Sequence, residues 1–278
     1  MLALRWLMLL VYASLVGCEK HIILLAGQSN MSGRGGVVND TWDGIVPDES
    51  RPSRSVLRLS AGLVWEKAQE PLHRDIDVTK VCGIGPGLAF AKSLMHKDSG
   101  VGQVALVPCA IGGTNISQWA RGSPLYNQLV RRAVAAVQGG GTIRAMLWYQ
   151  GESDTVTLAD AELYKGRFEN FVINLRQDLV FPLLPVIQVA LASGSGPFIA
   201  KVREAQLGTE LPNVWCVDAK GLQLQPDGLH LSTPAQIQLG KMLAHAYLQT
   251  IPSPIHSGAA RRVPKFDCLS LFHRIAGR

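Results

Sequence analysis

Four short polar segments carry side chains suited to acyl transfer. They are Gly27-Gln28-Ser29-Asn30-Met31, Cys109-Ala110-Ile111-Gly112-Gly113-Thr114-Asn115, Gln150-Gly151-Glu152-Ser153-Asp154 and Asp227-Gly228-Leu229-His230. A serine hydroxyl is a poor nucleophile until a base takes its proton, so Ser29 needs a partner. His230 is the candidate base. Asp227, three residues earlier on the same loop, is close enough to hold the far ring nitrogen and to stabilise the imidazolium. The tetrahedral intermediate of such a reaction needs two or three hydrogen-bond donors. The Ser29 N–H, the Gly113 N–H and the Gln150 side-chain amide are the candidates. Each piece has a bland reading as well. A serine after a strand is often a helix cap, and paired glycines are often a turn. The argument rests on the four occurring together.

Those segments must be brought together by strands. Five apolar runs, His21–Ala26, Val101–Pro108, Ile143–Tyr149, Leu184–Ala190 and Val214–Asp218, are continuous rather than alternating, as strands buried on both faces are. Helix-length periodic stretches lie between them: Pro86–Lys97, Pro124–Gln138, Leu158–Leu179 and Phe198–Leu207. A last helix opens at Thr233-Pro234-Ala235-Gln236 with a capping-box layout. This alternation predicts one three-layer α/β/α domain around a five-stranded parallel sheet. Ligands in such sheets bind at the carboxyl ends of the strands. Four of the five strand ends carry one of the polar segments. The fifth, Ser193-Gly194-Ser195-Gly196, offers only serines. Ser29 would sit at a strand-to-helix turn, with Gly27 allowing the tight backbone and the helix N-terminus favouring negative charge. Residues 32–83 are rich in Gly, Pro, Asp and Arg with little period, and read as a long functional loop.

The arrangement is not that of the α/β-hydrolases. Gly27-Gln28-Ser29-Asn30-Met31 lacks the second glycine of G-x-S-x-G, and the acid and base are only three residues apart. The chain instead resembles the SGNH/GDSL-type esterases, whose fold is flavodoxin-like. It is more similar still to carbohydrate esterase family 6, the group of acetyl-xylan esterases and sialate O-acetylesterase-like proteins. Plant members show runs similar to Gly27–Gly36, Cys82–Phe90, Ile111–Asn115, Trp148–Asp154 and Asp227–Leu231. The resemblance spans roughly residues 21–249. In the wider family the first block is Gly-Asp-Ser, and the third carries an Asn. Here Gln28 and Gln150 stand in those places, as in the family 6 branch, and a Gln amide still donates. Either Gly112 or Gly113 could be the backbone donor, and the family pattern favours Gly113. Gln28, Asn30, Asn115 and Glu152 are candidates for bracing the site or touching substrate. Trp42, Trp65 and Trp119 either frame the site or plug the long loop.

The chain of 278 residues has a formal net charge of +6. Residues 251–278 contribute +4 and residues 1–20 contribute +1, which leaves +1 for the body. A near-neutral body without a basic stripe argues against nucleic acid as a partner. Residues 1–20 have one early Arg, a short apolar core and small residues before a polar shift, which is the layout of a secretory signal peptide. Leu15-Val16-Gly17-Cys18 also fits a lipoprotein cleavage box. The apolar stretch is too short for stable membrane insertion. Residues 21–250 form the predicted esterase domain, and residues 251–278 read as a basic, poorly ordered tail. The five cysteines show no metal spacing, and one disulfide, between Cys82 and Cys109, would be permitted in a secreted protein. Asn39 and Asn115 open N-glycosylation sequons, Asn39 being the better placed. No metal or other cofactor is expected.

These readings converge on a secreted serine esterase that removes O-acetyl groups from a carbohydrate through an acetyl-Ser29 intermediate. Two alternatives stay open. One is a short-chain acyl or lipid esterase; the other is a non-catalytic carbohydrate-binding protein on the same fold.

Overall fold

Continuous apolar runs become the buried centre of a sheet. The computed structural model describes residues 19–250. Its strands are β1 (Lys20–Gly27), β2 (Val37–Val38), β3 (Thr41–Trp42), β4 (Val56–Leu59), β5 (Trp65–Lys67), β6 (Gln103–Pro108), β7 (Thr142–Tyr149), β8 (Val186–Ala190) and β9 (Val214–Asp218). Its helices are α1 (Ser29–Ser32), α2 (Gly87–Lys97), α3 (Pro124–Gln138), α4 (Leu158–Asp178), α5 (Ile199–Leu207) and α6 (Thr233–Thr250). The main sheet has the order β5-β4-β6-β1-β7-β8-β9, and β2 and β3 form a separate hairpin. Within the main sheet only β5 runs antiparallel to its neighbour.

Central β1 shows why its run lacks alternation. Ile22 to Ala26 are fully buried, because helices cover both faces of the sheet. On one side α2 packs against α6, with Phe90 edge-on to Tyr247. The other side holds α3 and α4 over an aromatic cluster of Trp119, Trp148, Phe168 and Phe171. The buried guanidinium of Arg132 on α3 donates to the carbonyls of Pro108, Ser60 and Leu59. It thereby satisfies backbone acceptors that the strands leave open at their carboxyl ends.

The sheet has seven strands rather than the expected five. Both additions, β4 and β5, come from the long segment read as loop. Arg58 interrupts the apolar pattern of β4. Its side chain is fully buried and pairs with Glu66 and Asp75. The three residues of β5 are too few to show a period. The disulfide that a secreted protein would permit between Cys82 and Cys109 is not formed. Cys82 and Cys109 are both free; Cys82 lies against Arg34, and Cys109 is buried beside Arg132. Glu19 and Lys20, read as the end of the leader, belong to the domain: Lys20 opens β1 and Glu19 pairs with Arg144. The rest of the segment read as a signal peptide, Cys18 included, and the basic tail lie outside the described residues. Among the described residues no helix is long and apolar enough to cross a membrane.

Gly27 ends β1 with φ +128°, and a Cβ there would stand 2.1 Å from the Tyr149 carbonyl oxygen. That same oxygen accepts the Gln28 N–H at 2.8 Å. The turn that presents Ser29 therefore depends on the absent side chain. Gly27→Ala is predicted to lower folding stability by at least about 2 kcal/mol, from strained backbone plus steric overlap. Urea denaturation checks this, and a loss within about 0.5 kcal/mol, typical of neutral sites, contradicts it.

Candidate active site

Parallel pairing with β6 and β7 on either side of β1 lines up the ends of these three strands. Ser29 follows β1, Gly112 and Gly113 follow β6, and Gln150 follows β7. The loop between β9 and α6 brings Asp227 and His230 over the same rim. A cleft of about 380 Å³ opens there, and Gln28, Ser29, Gly112, Gly113, Asp227 and His230 are among its walls. A larger hollow of about 760 Å³ lies along α3 near Tyr126 and Asp178, but no nucleophile with a base lines it.

Ser29, His230 and Asp227 form a hydrogen-bonded line. His230 Nε2 lies 3.0 Å from Ser29 Oγ, and His230 Nδ1 lies 2.6 Å from Asp227 Oδ2. Asp227 Oδ1 accepts the backbone N–H groups of Leu229 and His230 at 2.9 and 3.0 Å. Burial acts to raise the pKa of Asp227. Those two N–H groups and the His230 ring outweigh it and hold the carboxyl below its ordinary value. An ionised Asp227 fixes the proton on Nδ1 and leaves Nε2 free to accept from Ser29.

The loop that carries His230 is clamped from the nucleophile's side. Asn30 Oδ1 accepts the Leu231 N–H at 2.9 Å, and its Nδ2 donates to Glu152 Oε1 at 2.8 Å. The same Nδ2 approaches the Leu229 carbonyl, which also accepts from Ser193 Oγ. The residues on both sides of His230 are thus tied to the residue after Ser29. Glu152 is fully buried and braces the turn after β1 through Asn30.

The donors around Ser29 differ from the expected set. The Gly112 N–H donates to Asp77 Oδ2 at 3.1 Å, whereas the Gly113 N–H has no acceptor among the described residues. Gly113 has φ +73°, and a Cβ there would meet nothing within 4 Å, so it faces open space. The Gln150 amide faces inward. Its Nε2 lies 2.9 Å from the Thr114 carbonyl, 2.6 Å from Asp154 Oδ2 and 3.1 Å from Gln28 Oε1. Gln150 is fully buried and does not line the cleft. The helix after Ser29 is a single turn, so its dipole is small and the Ser29 N–H itself is the relevant donor.

Asn115 braces a loop, donating its N–H to Gln118 Oε1 and accepting from Ser117 Oγ. None of the three tryptophans lines the cleft. Trp119 is buried in the aromatic cluster, Trp42 packs beside Ile84, and Trp65 lies near Lys20 at the start of β1. Asn39 sits at the cleft mouth. Sequence reasoning missed Arg34, Ser32 and Asp77. The buried Arg34–Asp77 ion pair is joined by Ser32 Oγ and holds the Gly112 N–H. Arg34 lies within the first quoted block, but Asp77 falls in the aperiodic segment with no pattern to mark it. Among the described residues no group of His, Cys, Asp and Glu is arranged to hold a metal ion.

Comparison with known proteins follows from this geometry. A family model described as carbohydrate esterase, sialic acid-specific acetylesterase matches residues 19–249. A protein of Arabidopsis thaliana named a probable carbohydrate esterase is 57% identical over 237 residues, covering 82% of this chain and 90% of that one. The X-ray structure of that Arabidopsis protein superposes with a TM-score of 0.80 at 55% identity, covering 83% of this chain and 98% of the other. The crystal structure of NanS has a TM-score of 0.67 at 18% identity, covering 84% and 97%, and shares the fold.

Two buried carboxyls stand behind the nucleophile. Burial pushes Glu152 up to about 7 and Asp154 up to about 6, although Asn30 and Gln150 each donate a hydrogen bond in opposition. Above its ordinary pKa of 4.5 and below about 7, folded Glu152 keeps a proton that the unfolded chain has released. This group's contribution to stability therefore falls as pH rises through that window. Glu152→Gln keeps an acceptor for Asn30 but cannot ionise. Its stability relative to wild type is predicted to improve by on the order of 3 kcal/mol between about pH 4 and pH 8. Denaturation curves across that range test it; a difference independent of pH contradicts the assignment.

Proposed function

The chain belongs to the carbohydrate esterase, sialic acid-specific acetylesterase family, and from that premise we propose a serine esterase that removes O-acetyl groups from a carbohydrate. Carbohydrate esterase activity, a carboxylic ester hydrolysis, is what the family brings. The acetyl specificity and the Ser29 mechanism are what we propose beyond it. The observation that carries the reading is the unbroken hydrogen-bonded line from Ser29 Oγ through His230 to Asp227 at the floor of an open cleft.

In the first half-reaction Ser29 Oγ attacks the acetyl carbonyl carbon and its proton passes to His230 Nε2. The carbonyl electron pair moves onto oxygen, and the backbone N–H groups of Ser29 and Gly113 stabilise that oxyanion. The intermediate collapses, the C–O bond to the sugar breaks, and the sugar oxygen takes the proton from His230. In the second half-reaction water attacks acetyl-Ser29 and gives its proton to His230. Acetate leaves, and Ser29 recovers its proton. Asp227 stays ionised throughout and balances the imidazolium. No step requires a metal.

The walls of the cleft support a sugar rather than a lipid alcohol. Arg34, Asn39, Asp40, Lys80, Ser153 and Ser195 line it beside only three aliphatic side chains, Val37, Val81 and Leu229. Such a surface offers hydrogen-bond partners to sugar hydroxyl groups.

Ser29→Ala is predicted to lower kcat for a chromogenic acetyl ester by about 10⁴-fold or more, with the fold intact. Equal rates for the variant and wild type would sink the mechanism. Wild-type kcat/KM is predicted to fall steeply from acetyl to butyryl esters, and a rise with chain length would favour a lipid esterase instead.

A further inference from the structure

We infer that the side-chain amide of Gln28, not that of Gln150, is the third oxyanion donor, and that Gln150 is the positioning residue which aims it. The inference rests on the serine-esterase reading above and specifies the donors of that same site.

Gln28 lies between the end of β1 and the nucleophile, and it lines the cleft although only 2% of it is exposed. Its Oε1 is the meeting point of three donors: Gln150 Nε2 at 3.1 Å, the Gly151 N–H at 3.2 Å and the Ser153 N–H at 3.5 Å. Three converging donors identify that atom as the oxygen, since an NH₂ group there would face only other donors. The Nε2 of Gln28 is thereby turned away from the loop after β7. It donates to no acceptor among the described residues, and it is not one of their sealed, unpartnered polar atoms. A donor held in place, in touch with the cleft and without a protein acceptor is suited to an acceptor supplied by the ligand.

Gln150 has no comparable freedom. Its two amide hydrogens already face three acceptors, one of them the buried Asp154 carboxyl. Turning them toward Ser29 would strand those acceptors and reverse the amide that fixes Gln28. On the opposite side Asp77 occupies the Gly112 N–H and leaves that of Gly113. A Cβ on Gly112 would lie 3.5 Å from Ser29 Cβ, so this loop abuts the nucleophile. The open donors at the nucleophile are then the Ser29 N–H, the Gly113 N–H and Gln28 Nε2.

The test compares Gln28→Met and Gln28→Glu with Gln150→Met on the full-length enzyme, using 4-nitrophenyl acetate and thermal melts. Both Gln28 variants remove the donor, and Glu keeps an acceptor for Gly151 and Ser153. Each is expected to lose about 100-fold or more in kcat with KM within a few-fold of wild type, as removal of one oxyanion donor does. Rates within about threefold of wild type in a folded Gln28 variant overturn the inference. So does a folded Gln150→Met that loses more kcat than either Gln28 variant. If instead Ser29→Ala retains wild-type activity, the esterase mechanism itself has failed, and that outcome is read independently. Should neither Gln28 variant fold, the wild-type enzyme carries the test. Phosphonylation of Ser29 with 4-nitrophenyl methylphosphonate places a charged oxygen where the oxyanion forms. The assigned Gln28 side-chain NH₂ proton resonance is expected to move downfield on phosphonylation. Movement of the Gln150 amide alone overturns the inference.

Discussion

The active rim depends on one short chain of hydrogen bonds. It runs from the buried Glu152 carboxyl through the Asn30 amide to the backbone on either side of His230. His230 arrives on a loop from the far end of the fold, and no regular element holds it. Without that tie the loop would rest on the Gln225 N–H at the His230 carbonyl and the Ser193 hydroxyl at the Leu229 carbonyl, and Asp227, which meets the imidazole, is itself exposed. Because Asn30 follows Ser29 directly, a shift of Ser29 is passed to the loop that carries His230. The 3.0 Å contact between them is thereby coupled to the end of β1, a buried strand at the middle of the sheet.

Neutral amides do much of the positioning in this site. Gln28, Asn30 and Gln150 each present a donor and an acceptor a fixed distance apart, so each can join two partners without adding charge. The buried carboxyls are kept one layer back. Asp154 faces Gln150, Glu152 faces Asn30, and the Arg34–Asp77 pair reaches the cleft through the Gly112 N–H. A net negative charge placed directly beside a forming oxyanion would oppose it, and an amide does not. This offers a physical reason for Gln at position 28, where the resemblance to the wider family would place an acid.

Much of the fold was legible in the residues. All five continuous apolar runs became strands, and the five long helices fall within a residue or two of their periodic stretches. The central strands were readable because both their faces are buried, so apolarity alone marked them. The two added strands were not readable. Arg58 sits inside β4 with its charge neutralised by Asp75 and Glu66, partners that only the tertiary structure supplies. The site was legible to the extent that function and local turn chemistry coincide. Ser29, Asp227 and His230 stand beside glycines in short loops, and the structure brings them into one line. The direction in which an amide faces has no local signature. Gln150 turns inward because Thr114 and Asp154, from two different loops, draw it there. Asp77 holds Gly112 across a separation of 35 residues, which no spacing rule could register.

The proposed hydrolysis passes through covalent attachment at one serine, Ser29. Stoichiometric labelling with diethyl 4-nitrophenyl phosphate, followed by peptide mass mapping, tests it directly. The account predicts one diethylphosphoryl group per chain, on the peptide carrying Ser29, with esterase activity lost in proportion to labelling. Complete labelling with activity retained, or inactivation with the adduct on another residue, would contradict it.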